Sequence, residues 1–178
     1  MEEFKSLETL LDPDERWAHF VLRDRSTNEI TRYSLEERYQ SATQIHLSFS
    51  TPEGVQGQFN IARMLCVYAW LYYPLHQMAE LKAFSTVEMA LRFRFPDTKG
   101  GLHKLLSFAV EKGVIVDEGF SHIAVNHSDP IQYSKQLPGL MSSLRNTLAH
   151  GSGMLHPGSM FTVQNCAEII NQLFPEAT

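Results

Sequence analysis

The segment Leu144-Arg145-Asn146-Thr147-Leu148-Ala149-His150-Gly151 brings three groups suited to phosphate chemistry within six residues. Arg145 carries a permanent charge on a planar fork that matches phosphate oxygens. His150 has an imidazole that titrates near neutrality, so it can give or take a proton. Asn146 can orient that imidazole or donate to an oxygen. These are the parts for metal-free cleavage of a phosphodiester by a neighbouring ribose hydroxyl, which needs a proton shuttle and charge stabilisation on the phosphate. Asn146 and His150 are four apart and share a helix face. Arg145 and His150 are five apart, about 140° around a helix. Either the long Arg145 side chain wraps back, or both groups meet their counterparts across a two-fold axis in a site built from two chains. The same residues also have a plainer use, with Arg145 in an ion pair at the core edge and Asn146 capping locally. His150 would then satisfy the last carbonyls of the helix, where the macrodipole favours an imidazolium.

Other chemistries have no footing in the chain. No Gly-rich phosphate loop, CxxC pair, HExxH or G-x-S-x-G elbow occurs. The eight histidines are scattered, and none pairs with another at i+4 on a helix, so neither a metal nor a cofactor is expected. His46 and His76 fall in amphipathic patterns, which suggests hydrogen-bonded structural roles. Cys66 and Cys166 sit among apolar residues and read as neither a disulfide framework nor a zinc site.

Helices must position the motif. Ser34 with Glu37 matches a capping box and predicts a helix over 35–47. Before it, residues 15–33 read equally as a helix over 15–23 or as a short β-hairpin turning at Ser26-Thr27-Asn28-Glu29. Apolar spacing of three and four runs through Ile61, Leu65, Tyr68 and Tyr72 until Pro74 interrupts it, then resumes from Leu75 to Phe95. A short helix over 102–112 closes at Gly113. Asp129-Pro130 reads as a helix start limited by Pro138. The motif helix spans 139–150, with Leu140, Met141, Leu144 and Leu148 holding it on the core. Gly151 stands at a left-handed cap position, and Thr162 caps a last helix facing inward through Val163, Cys166, Ile170 and Leu173. The fold class is all-α, a bundle of four to five main helices with the N-terminal hairpin as an optional addition.

The chain has 178 residues, 43% hydrophobic and 20% charged, which fits one globular domain. Its net charge of −5 excludes a highly basic nucleic-acid binder. The charge is uneven: residues 1–59 carry net −5, residues 60–112 net +3 and residues 113–178 net −3. Arg92, Arg94, Lys99 and Lys104 supply most of the basic middle, either as a solvated face or as a local phosphate-attracting patch. No signal peptide or membrane span is visible, so a cytoplasmic protein without membrane contact is expected.

Arg145-Asn146-Thr147-Leu148-Ala149-His150 resembles the R-N-x-x-x-H motif of the HEPN superfamily (higher eukaryotes and prokaryotes nucleotide-binding domains). The upstream segment Thr86-Val87-Glu88-Met89-Ala90-Leu91-Arg92 is similar to a long family helix that carries an acidic residue among small and apolar ones. The likeness covers about residues 55–175. It divides the chain into an N-terminal extension, 1–54, packed on a HEPN-like helical domain, 55–178. The resemblance implies a homodimer with the motifs facing each other. It also implies metal-independent ribonuclease activity, which many members use in toxin–antitoxin, phage-defence and RNA-processing systems. Arg145 and His150 would then be catalytic, Asn146 would assist, and Glu88 would support the site, paired to Arg145. Implied partners are an RNA substrate, a second copy and a cognate antitoxin protein. Two alternatives stand beside this: a non-catalytic nucleotide- or RNA-binding HEPN module, and a dimeric interaction domain using the aromatic segment 68–73. The loop 151–159, with His156, lies beside the motif.

Overall fold

Ser34 starts the first α-helix as its sequence suggests. Its Oγ accepts from the Glu37 amide at 3.2 Å, and the Glu37 carboxylate accepts from the Ser34 amide at 2.7 Å, so two otherwise orphaned donors are satisfied. The structure, a computed structural model, describes residues 2–151, 153 and 158–176. Among them are six α-helices: α1 (Leu35–Gln44), α2 (Glu53–Tyr68), α3 (Leu75–Arg94), α4 (Leu102–Glu111), α5 (Leu137–Ala149) and α6 (Ser159–Leu173). A two-stranded antiparallel sheet, β1 (Val21–Arg23) with β2 (Ile30–Arg32), precedes α1 with Leu22 opposite Thr31. The two readings of residues 15–33 share the segment, with a 3-10 helix over Glu15–His19 followed by the hairpin. No helix among the described residues is long and apolar enough to cross a membrane.

Helix α3 is the centre of the bundle, with α2, α4, α5 and α6 all packed on it. Ala79, Ala83 and Ala90 are fully buried and let neighbouring backbones approach, while Phe84, Val87 and Leu91 fill the spaces between them. Val163, Cys166, Ile170 and Leu173 of α6 are buried, as the spacing indicates. The hairpin itself is solvent-exposed along both strands. Trp17 ties this region down instead. It is buried, its Nε1 donates to the Ala69 carbonyl at 3.0 Å, and its ring stacks on Trp70 at 5.7 Å. Arg38 of α1 is also buried, its guanidinium 4.5 Å from the Trp17 ring centre and its Nε donating to the Cys66 carbonyl.

Among the described residues the bundle has six α-helices rather than the four to five expected, and four local expectations also shift. Helix α2 stops at Tyr68 rather than running through Tyr72, because Pro74 cannot continue a helix and the turn at 69–73 presents the Ala69 and Trp70 carbonyls to Trp17 and Asp14. Helix α1 stops at Gln44, where Ile45 turns extended and enters the core. Thr162 is not the cap of α6. It lies inside the first turn, and its hydroxyl donates to Glu80 at 2.7 Å. Asp129-Pro130 starts no helix, and a turn with a 3-10 segment, Ser134–Gln136, leads into α5.

Asp117 explains the last of these. Its carboxylate accepts the Tyr133 amide at 2.9 Å, the Ser134 amide at 2.8 Å and the Ser134 hydroxyl at 2.6 Å, and the two amides are lost to a helical ladder. Burial raises the Asp117 pKa, but these hydrogen bonds outweigh burial and hold it below the ordinary 3.8. A carboxyl that ionises more readily folded than unfolded stabilises the fold fully above about pH 5, and that contribution fades as the pH falls through its folded value. Asp117→Asn is therefore expected to cost about 1–3 kcal/mol at neutral pH. Urea denaturation against pH should also show a shallower acid limb in this variant than in the wild type.

Candidate functional site

The motif rides on α5, whose inward face is set by Leu137 and Met141, both buried, and by Leu148, which is half-buried. Leu140 and Leu144 do not join the core as expected. They are 50% and 45% exposed. Residues four apart advance about 40° per step beyond a full turn, so the stripe from 140 to 148 winds across the helix surface. Gly151 has φ +85°, the left-handed conformation that ends the helix.

Arg145 leans toward α3. Its Nη2 lies 3.7 Å from Glu88 Oε2, and its Nη1 donates to Asn146 Oδ1 at 3.3 Å. Glu88 Oε1 accepts from Arg92 at the shorter distance of 2.7 Å, and Arg92 also donates to the Gly100 carbonyl at 2.9 Å. Glu88 thus sits between two guanidiniums, linking α3 to α5 and to the turn before α4. Beside Arg145 opens a cleft of about 290 Å³ lined by His103 and Lys104 from α4 and by Ser142, Arg145 and Asn146 from α5. Glu88 and Arg92 also line a second cleft of about 540 Å³ together with Ser85, Met89, Phe93 and Pro96.

His150 is the C-cap residue of α5. Its amide donates to the Asn146 carbonyl, and its side chain is exposed and makes no hydrogen bond among the described residues. Within one chain, then, Arg145 is held in the cleft and His150 faces solvent on another side of the helix. Arg94, Lys99 and Lys104 of the basic middle are exposed, whereas Arg92 is engaged by Glu88. His156 and most of the loop 151–159 lie outside the described residues.

No family model, characterised protein or solved structure matches this chain. The resemblance to HEPN domains rests on residues of the sequence alone.

Some side chains that the motif does not name also carry chemistry. His103 and Lys104 enter the same cleft as Arg145. For Lys104 the signal in the sequence is sign: a cation in the first turn of a helix opposes its macrodipole. A buried polar cluster joins Arg38, His76, Cys66 and Ser159, in which the Ser159 hydroxyl meets His76 Nδ1 and lies 3.3 Å from Cys66 Sγ. This gives His76 its structural role, while His46 is exposed with Nδ1 2.9 Å from the Gln44 carbonyl. Both cysteines are free and buried, and no cluster of metal-ligating side chains occurs among the described residues.

The Glu88 linkage is partly solvated, so its direct contribution to stability is small. Glu88→Gln is expected to shift the unfolding free energy by about 1 kcal/mol or less in urea denaturation. A loss above about 3 kcal/mol would mark the pair as one that the fold requires.

Proposed function

We propose that the chain is a metal-independent endoribonuclease of toxin or defence type, working as a homodimer with a composite Arg/His site. The observation that carries this reading is the setting of Arg145, which Glu88 and Asn146 hold at a cation-rich cleft within the R-N-x-x-x-H sequence. In the reaction, a ribose 2′-hydroxyl attacks the adjacent phosphorus and His150 takes its proton. Arg145 binds the non-bridging oxygens as charge accumulates on them. The 5′-oxygen leaves with a proton taken from water, His150 returns its own proton to solvent, and a 2′,3′-cyclic phosphate remains. Asn146 donates to the phosphate or orients the partner copy's imidazole, and Glu88 keeps Arg145 from swinging away.

The dimer supplies what one chain lacks. Arg145 and His150 diverge around α5, and a second α5 packed against the first would bring the imidazole of one copy to the guanidinium of the other. Leu140 and Leu144 give α5 an exposed apolar strip for such a contact. A cognate antitoxin protein would act by covering the same face. A second reading, an RNA- or nucleotide-binding module without turnover, draws on the fact that no side chain among the described residues orients His150.

Purified protein is expected to cut single-stranded RNA in the presence of EDTA. Arg145→Ala and His150→Ala should each lower the rate about 10²–10⁴-fold. A mixture of the two variants should regain part of the activity, since mixed dimers carry one intact composite site. Full-rate cleavage by both variants alone would overturn the assignment, and retained RNA binding with no turnover by the wild type would select the second reading.

Leu144→Glu is expected to convert a dimer to a monomer in light scattering while leaving the circular dichroism spectrum unchanged. A wild type that is already monomeric at micromolar concentration would remove the composite site.

A further inference from the structure

We propose that the cleft between the first turn of α4 and α5 is a phosphate-binding subsite, in which His103 and Lys104 join Arg145 and Asn146 to seat a phosphodiester group of single-stranded RNA. The lining comes first. Lys104 and Arg145 bring permanent positive charge, His103 and Asn146 add donors, and no carboxylate lines the cleft. The nearest acid, Glu88, is 3.7 Å from Arg145 but already 2.7 Å from Arg92, so the charge of Arg145 is only partly offset.

The placement of these residues is costly without an anion. Helix α4 has Gly101 at its N-cap, no side-chain cap and no acidic residue in its first turn. Lys104 therefore adds positive charge where the helix already presents the positive end of its dipole, and His103 stands beside it as a further donor. A bound phosphate reverses the sign of that arrangement, because amides, ammonium and imidazole then all face one anion. Ser142 adds a hydroxyl whose oxygen is buried and has no hydrogen-bond partner among the described residues.

The turn before α4 is shaped to hold Lys104 there. Gly100 has φ +148°, and a Cβ at that position would come within 2.8 Å of Lys104 Cδ and 2.9 Å of its Cβ. The lysine stem thus lies directly over Gly100, and Arg92 anchors the same residue through its carbonyl. The cleft is at the small end for ligand sites, which suits a phosphate group better than a base with its sugar. That the phosphate belongs to RNA rests on the reading of Arg145 above. The convergence of cations does not.

The test uses a short fluorescent oligodeoxynucleotide, which lacks the attacking hydroxyl and so reports binding alone. Binding is measured by anisotropy at low salt, with Lys135→Ala, outside the lining of the cleft, as a charge-matched control. Lys104→Ala and His103→Ala are each expected to weaken binding about three- to tenfold, and Lys135→Ala less than about twofold. For Lys104→Ala the slope of log affinity against log salt should also fall by about 0.7, the loss of one phosphate contact on a single strand. Lys104→Arg should retain the wild-type slope. The proposal is overturned if both alanine variants bind like Lys135→Ala, or if the wild type does not bind. The two readings separate cleanly. Intact RNA with the binding pattern preserved removes the nuclease and keeps the subsite. Cleavage with binding indifferent to His103 and Lys104 does the reverse.

Discussion

The burial of α3 on several sides is the constraint from which the rest of the molecule follows. A helix enclosed this way needs small residues where neighbours press closest and a partner for each polar group carried inward. Ala79, Ala83 and Ala90 meet the first need. For the second, His76 meets Ser159, Glu80 accepts from Thr162, and Thr86 donates to its own helix at the Lys82 carbonyl. These contacts fix how α6 lies on α3. Farther along the same helix, Glu88 emerges at the surface and meets Arg145 of α5. The packing that satisfies the buried half of α3 therefore also places the motif helix.

Much of this was legible in the sequence because it rests on local rules. The capping box at Ser34, the break at Pro74, the left-handed glycines at 113 and 151, and the inward stripe of α6 each depend on a few neighbouring residues. The misread elements depend on partners distant in the chain. Asp117 takes amides from residues sixteen and seventeen positions ahead of it, which local pattern cannot show. Trp17 reaches Ala69, fifty-two residues away, and the carbonyl it needs is available only because α2 stops early. The leucines of α5 misled for another reason: an i+4 repeat advances about 40° per step, so over the two steps from Leu140 to Leu148 it drifts about 80° across the helix surface.

The motif itself was visible, since Arg145, Asn146 and His150 are contiguous enough to be read from spacing. The cleft was not, because His103 and Lys104 are some forty residues upstream and reach Arg145 only through the packing of α4 on α5. The electrostatics of the cleft also differ from what bulk charge suggests. A protein with net −5 still concentrates two cations, Lys104 and Arg145, at one cleft. Glu88 tempers that concentration without cancelling it, because one carboxylate is shared between two guanidiniums.

The two cysteines have a practical consequence. Burial raises the pKa of both thiols, only partly opposed at Cys66 by its contact with the Ser159 hydroxyl. Thiols that stay protonated and inaccessible react slowly with alkylating reagents. The native chain therefore behaves, toward maleimides and methanethiosulfonates, nearly as a cysteine-free background. A single cysteine introduced on the exposed side of α5 would carry a spin label or fluorophore alone, without first rebuilding the core.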